Sequence, residues 1–438
     1  MSLRTYTLAC ALFVAGLSPL CTVAQPAPAT APARLEQLTL HQAELLFAAR
    51  NREVLFAQRG VESAEAALLG AAARPNPNLY VNATQIGNQY PQGYDSGRLD
   101  RRADTTIGIS QMFERGGKRE LRMAAADRNL AASRGDYADT RRLQKVALHA
   151  AYYDLLAAQE RVRTASETAG LFQKTVDAAQ LRLKAGDIAS ADVARIQVDA
   201  LRAQNDARLA QADQQRAQTA LAYIMGAERD AARIHVSEGW PDVSAIASGF
   251  DIDAGLSGRG DVQAAQARVE AAEKSLELAR ALRTRDVTAM VQFDRTPWNP
   301  LDNPTSANTV GVGISIPLFT NYYFAGEIRG AEVDLQAARE NLERVRALAR
   351  GEIASARAAL DGSAERVRRF RESLLGQAQK AADAAEYAYS HGALGVMDLL
   401  DARRQLYATQ LEASSTQADY AKALAAWQAA IAPAELNP

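Results

Sequence analysis

The sequence predicts a mostly α-helical chain with a small β part, assembled from two copies of one helix–hairpin–long-helix unit. The first observation is an internal echo. Residues 175 to 226 recur at 381 to 432 without a gap, pairing Asp177 with Asp383, Gly186 with Gly392, Asp192 with Asp398, Gln204 with Gln410, Gln211 with Gln417 and Asp213 with Asp419. Upstream, Val54, Gln58, Val61, Glu62 and Glu65 return as Val262, Gln266, Val269, Glu270 and Glu273, and Gly108-Ile109-Ser110 returns as Gly313-Ile314-Ser315. A period near half of the 438 residues is far longer than the roughly 20–50 residues of a solenoid repeat. The second observation is composition: alanine is abundant and aromatics are only 6%, which suits long, closely packed helices better than one large globular core. The third is that each copy holds two short runs of alternating apolar and polar residues, the period of a strand.

The elements follow in order. Arg4 precedes an apolar run from Leu8 to Leu17, and Thr22-Val23-Ala24 offers small residues before Gln25, so residues 1–24 read as a cleaved secretory signal, too short for a membrane span. Cys10 and Cys21, the two cysteines, both lie there. Lipidation of Cys21 is the alternative, although Pro19 and Leu20 stand where a lipoprotein signal wants small residues. The mature chain then has no disulfide and no thiolate metal site. Residues 25–38 form a Pro/Ala linker, with Pro26 to Arg34 disordered or extended. No mature stretch approaches the roughly 18 apolar residues of a transmembrane helix.

The first repeat, 39–226, starts with a helix from Leu40 to Ala73, stopped by Arg74-Pro75-Asn76-Pro77. A hairpin at 78–113 follows. Leu79, Val81 and Ala83 oppose Tyr80, Asn82 and Thr84; after a polar loop from Gly87 to Asp104, Ile107, Ile109 and Phe113 oppose Thr106, Gly108 and Ser110. A helix from Lys118 to Lys184 then contains no proline, and a partner returns from Ala191 to Met225. Residues 227–258 link the copies. The second repeat, 259–432, repeats the scheme: helix Asp261 to Leu282, hairpin 286–319 around a loop from Arg295 to Ser306, helix Phe324 to Ser390, and helix Val396 to Ile431, before a tail at 433–438.

Each alternating run fits a tilted transmembrane β-strand or a half-exposed strand of a soluble sheet. The helices that follow favour the membrane, because a helix of such length, roughly 100 Å at 1.5 Å per residue, needs partners along its whole surface. Four strands cannot close a barrel, and an open edge is not viable in lipid. Several chains would therefore share one barrel. Two would give eight strands with a filled interior, and three would give twelve with room for water. Phe319, Tyr322, Tyr323, Phe324 and Trp298 suit interfacial girdles, or ordinary packing at a domain junction.

Asp398 and Asp401 share one helical face beside the second hairpin turn. Turned inward in a symmetric assembly they would form carboxylate rings that favour cations; alternatively they complement the dipole of the returning helix. The histidines, His41, His149, His235 and His391, lack metal-ligand spacing, so no metal site or cofactor is expected. No nucleophile–base pair, phosphate loop or nucleotide motif appears, which argues against an enzyme. A net charge of −1 argues against nucleic acid.

The signal peptide, the duplicated halves and the paired Gly…Asp turns together resemble the TolC family of outer-membrane efflux ducts, over essentially the whole mature chain. That resemblance implies a homotrimer with an α-helical barrel crossing the periplasm and a shared twelve-stranded transmembrane β-barrel in outer-membrane lipid. It implies a periplasmic adaptor (a membrane fusion protein) and an inner-membrane RND-type pump as partners. Gly116-Gly117-Lys118-Arg119 resembles the CzcC-like branch serving heavy-metal cation pumps. By the same resemblance Asp398 and Asp401 form the constriction, and Tyr389 links neighbouring hairpins in the closed state with Asp192 as its partner. Leu394 stands where the prototype has an arginine, leaving Arg195 as a substitute. The turns at Gly186 and at Gly392, Leu394 and Gly395 are where the pump or adaptor docks. A periplasmic coiled-coil adaptor or scaffold with soluble hairpins is the competing reading, as is a duct for drugs or type I secretion.

Overall fold

The computed structural model describes residues 35–84, 103–243, 252–296 and 307–434. The signal segment with Cys10 and Cys21, the linker up to Arg34, most of both strand-connecting loops including Trp298, and the last four residues lie outside that range. Leu35–Leu38, counted above with the linker, belong to the folded body. Leu35–Gln37 form a 3-10 turn, Leu38 bridges Val236 in parallel, and the Tyr152 hydroxyl donates to the Leu38 carbonyl at 3.0 Å.

The single helix expected over 40–73 is two. α1 (Leu40–Arg50) ends at Asn51, whose extended backbone (φ −62°, ψ 123°) restarts the chain as α2 (Arg52–Ala72). Asn51 is buried and uses both ends of its amide. Its amide oxygen accepts from Val54 N at 2.9 Å and its amide nitrogen donates to the Ile224 carbonyl at 2.8 Å. A buried N-cap with both ends used stabilises the break more than one more helical residue would. At the far end of α2 the orphan carbonyls of Ala71, Ala72 and Ala73 accept from Arg122 and Arg119, as helix C-termini require.

Strands β1 (Asn78–Thr84), β2 (Asp104–Phe113), β3 (Val287–Thr296) and β4 (Ala307–Ser315) form one antiparallel sheet in chain order. The β2–β3 pairing joins the two copies. Register aligns the alternation across all strands: Leu79, Ile109, Val291 and Val312 form one row, and Val81, Ile107, Phe293 and Val310 the next. These eight side chains are exposed, from 43% for Phe293 to 82% for Val312. On the other face Tyr80 lies flat over Gly108 to reach Gln292 at 3.0 Å, and Gln292 and Thr106 both donate to Asp294. A Cβ at Gly108 would sit 2.4 Å from the end of the Tyr80 ring, so a larger residue there would have to push that side chain aside.

α3 (Lys118–Ala185) runs 68 residues without interruption, about 100 Å. Near the sheet it packs between α2 and α6 (Gly260–Ala281), with α7 (Ala325–Arg369) beyond α6; away from the sheet it packs between α4 (Ser190–Met225) and α9 (Val396–Ile431). A short α5 (Ile252–Gly258) precedes α6. Contact with α6 is closest at Gly135, where a Cβ would meet Gly260 O and Ala264 N at 2.8 Å. The result is a layer four helices wide at each level, and among the described residues α2, α4, α7 and α8 (Leu375–Ser390) at its edges have no partner on one side. Phe56, Leu69, Leu201, Leu209 and Val333 are more than half exposed on α2, α4 and α7.

The second long helix is not continuous. Between α7 and α8, Phe370–Leu374 form one π turn. Aligning the copies explains it. Glu160-Arg161-Val162-Arg163 matches Glu365-Arg366-Val367-Arg368 (365 − 160 = 205), whereas Gln173 and Asp177 match Gln379 and Asp383 (379 − 173 = 206). Each Gln–Asp pair makes the same i,i+4 hydrogen bond. The second copy thus carries one additional residue between two fixed registers, and a single widened turn absorbs it.

Candidate functional site at the hairpin tips

Both tips are built the same way. Gly186 (φ +82°) donates to Leu183 O and Asp187 N to Arg182 O; Gly392 (φ +73°) donates to Tyr389 O and Ala393 N to Ala388 O. These are paired Schellman closures, and each needs a residue in the left-handed region. α4 and α9 then start 206 positions apart and run 36 residues each. A small apolar core seals the tip: Phe172 and Val176 of α3, Val193 and Ile196 of α4, and Leu400 of α9.

Side chains around this core separate into free and paired acids. Asp398 is exposed in the first turn of α9 and folds back over Gly395, where an added Cβ would lie 3.3 Å from its Oδ2; the helix N-terminus favours its charge. Asp192 holds the equivalent place in α4 and is half-buried. Asp401, also exposed, is not free: its Oδ1 pairs with Arg404 Nη1 at 2.5 Å, and Arg404 Nη2 reaches Asp199 Oδ2 on α4 at the same distance. Asp199 is 7% exposed.

Three arginines tie the first hairpin to the second. Besides Arg404, Arg403 donates to the buried Thr175 hydroxyl at 2.8 Å and pairs with Glu386 at 3.3 Å. Arg182 donates to the Tyr389 hydroxyl at 3.1 Å, its guanidinium 5.7 Å from that ring. Tyr389 is therefore partnered within the chain by Arg182 rather than Asp192, and Arg195 stands exposed elsewhere on α4. Leu394 is half-buried and Gly395 is the N-cap of α9. His391 turns back on its own helix, with Nδ1 2.8 Å from Tyr387 O and its ring 4.1 Å from that of Tyr387.

Sequence reasoning singled out the acids and tyrosine but missed Arg182, Arg403, Arg404 and Asp199. Arg404 could have been suspected from its i,i+3 spacing to Asp401; the contact with Asp199 spans 205 positions and leaves no local signal. Further along the body, a cleft of about 320 Å³ between α3, α4 and α9 is walled by Asp154, Arg161, Asp213, Arg216, Asp419 and Lys422. Those charges pair among themselves, as in Lys422–Asp154 at 2.9 Å and Arg161–Asp213 at 3.4 Å.

Comparison with known proteins places this geometry. The family model described as outer membrane efflux protein matches residues 46–227 and, again, 252–432. The chain is 26% identical to the cobalt-zinc-cadmium resistance protein CzcC of Cupriavidus metallidurans, over 93% of this chain and 95% of the relative. It is 27% identical to the pyoverdine export outer membrane protein OpmQ of Pseudomonas putida, over 84% and 81% respectively. Among solved structures it is similar to the outer membrane protein VceC of Vibrio cholerae (TM-score 0.72, 22% identity, 90% of this chain and 96% of that one) and to CusC (TM-score 0.73, 18% identity, 90% and 92%).

Proposed function

This chain belongs to the outer membrane efflux protein family, and from that premise we propose that it is the exit duct of a tripartite pump, a homotrimer through which heavy-metal cations leave the cell passively. The observation that carries the reading is the incomplete sheet. Four antiparallel strands present a continuous exposed apolar face, and among the described residues β1 and β4 are its unpaired edges. In lipid such edges must be paired, and three copies joining β4 of one chain to β1 of the next would close twelve strands around a lumen lined by the Tyr80, Gln292 and Asp294 face. The unpartnered α2, α4, α7 and α8 edges would close in the same way into a helical tunnel.

At the narrow end, Asp398 supports cation preference, and the arginine contacts between hairpins support a closed resting state that opens when an adaptor docks at the Gly186 and Gly392 turns. The likeness to CzcC favours divalent metal as cargo. The similar likeness to OpmQ favours a second reading, a duct for pyoverdine. Energy and most selectivity would reside in the inner-membrane pump, and the duct itself would catalyse nothing.

Fractionation tests the duct directly. The protein should pellet with the outer membrane after export and removal of residues 1–24, and should migrate unheated as a trimer that heat dissociates. Recovery in the soluble periplasm would sink the reading in favour of an adaptor. A deletion strain challenged with Zn, Co, Cd and Cu against common drugs, and assayed for pyoverdine release, then separates the two cargoes.

A further inference from the structure

We propose that Arg404 sets the ion selectivity of the constriction, by holding Asp401 in a charge pair so that Asp398 alone presents a free carboxylate ring. The inference rests on the reading that these acids line the narrow end of the duct. One guanidinium serves two carboxylates at 2.5 Å: Asp401, one turn before it on α9, and Asp199, on α4 of the other hairpin. Asp199 is almost completely buried and its other cation, the exposed Arg202, is 3.8 Å away, so removing Arg404 would leave a desolvated carboxylate with only that long pair. The planar fork of arginine is the group that can reach two carboxylates at once. Asp199 therefore anchors Arg404 in place, and Arg404 in turn fixes the charge state that Asp401 shows to passing ions.

Asp398 differs from Asp401 by only one turn but has no cation within pairing distance among the described residues. The two acids are thus inequivalent although spacing alone makes them alike. The first copy has no such arrangement: Arg195 and Val198 stand where the second has Asp401 and Arg404. The device belongs to one hairpin in two, once per chain and three times per ring.

A double-mutant cycle on the intact trimer in planar bilayers tests this, read as the K⁺/Cl⁻ permeability ratio from reversal potentials in a KCl gradient. Arg404→Gln should raise cation preference. Asp401→Asn should change the ratio at least about twofold more in the Arg404→Gln background than in wild type, the size of a measurable pair coupling. Asp398→Asn should lower cation preference equally in both backgrounds. Additive behaviour of Arg404→Gln and Asp401→Asn, with Asp398→Asn still effective, would overturn the role of Arg404 and leave the constriction standing. If Asp398→Asn also leaves the ratio unchanged, the constriction reading fails first. Should Arg404→Gln not assemble, Asp199→Asn offers the same test, because it frees Arg404 from its anchor: the Asp401→Asn effect should then differ from wild type, and an identical effect counts against the proposal.

Discussion

Asn51 and Arg259 occupy the same place in the two copies, each the N-cap of the helix that leads to its hairpin, and each is buried. Val54 and Val262, three residues on, are buried alike. The chemistry differs completely. Asn51 is neutral and finds a donor and an acceptor within reach. Arg259 is fully buried and charged, held by both oxygens of Asp261 and by Glu352 at 2.7 Å, with Nη1 left unpaired among the described residues. Asp139 and Arg142 of α3 stand beside this group; burial pushes the Asp139 carboxyl up, more than Arg142 draws it down. The difference teaches that duplication copied the scaffold and not the environment. In one chain the first long helix is interior, packed on two sides, while α7 and α8 lie at an edge.

The largest expected effect breaks the comparison at that level. An alanine inserted after Thr168 in α3 would rotate everything beyond it by about 100°, taking Phe172, Val176 and Ala179 out of the seam they share with α4. With α4 on one side and α9 on the other, no widened turn can absorb the change, and the heat-labile trimer proposed above should disappear from unheated gels. Deleting Arg371 from the π turn does the reverse at an edge, removing the residue by which the second copy is longer, and the trimer should persist. Equal tolerance of both changes would show that the two long helices are interchangeable.

Next in size is the buried cation. Arg259→Ala leaves Asp261 without its fork partner in a desolvated site, a cost of about 3–5 kcal/mol, whereas Asn51→Ala loses a cap worth about 1–2 kcal/mol. Thermal dissociation of the trimer should rank the two in that order, and a reversed rank would mean that Arg259 is solvated in the assembly.

Much of this was legible beforehand. Alternation placed four strands and their faces, because register in a sheet with one apolar side is set by that side. The helix ends expected at Met225 and Ile431 are the ends observed, the first at Gly226 in the left-handed region and the second at the extended Ala432. What escaped depended on partners far along the chain. Asn51 interrupts an apolar periodicity that continues on both sides, and its reason, the Ile224 carbonyl, lies 173 positions away. Arg259 sits between two glycines and reads as a solvated turn. The π turn emerges only when Glu160 and Glu365 are aligned and the count is carried to the tip. At the hairpin tips the acids were visible, and Arg404, which pairs with Asp401, was not.

The step from strand to helix sharpens the comparison further. The first copy turns on Gly116 (φ +75°) and Gly117 (φ +68°), and Lys118 then buries its ammonium against Asp286 at 2.8 Å. The second turns on Phe324 (φ +58°), a non-glycine held in the left-handed region by packing on Phe319, ring centroids 5.1 Å apart. Gly117→Ala should cost only the backbone strain, about 1–2 kcal/mol. Gly116→Ala adds a Cβ 2.8 Å from that of Thr284 and should be the worse of the two by thermal dissociation. Similar losses for both would mean that Thr284 is free to move.

The smallest effect is a charge that only the first copy's N-terminal helix uses. Glu44 of α1 meets His149 at 2.7 Å and Lys145 at 3.2 Å. Burial raises its pKa, but hydrogen bonds from these two bases outweigh that and hold the carboxyl below the usual range. A depressed carboxylate stabilises the fold above its unfolded pKa, about 4.3, and loses that contribution as pH falls through the folded value. Glu44→Gln should therefore lower trimer stability at pH near 7, by less than about 1 kcal/mol because the group is partly solvated, and the gap to wild type should close in acid. A gap that persists in acid would assign the loss to packing of α1 on α3 instead of charge.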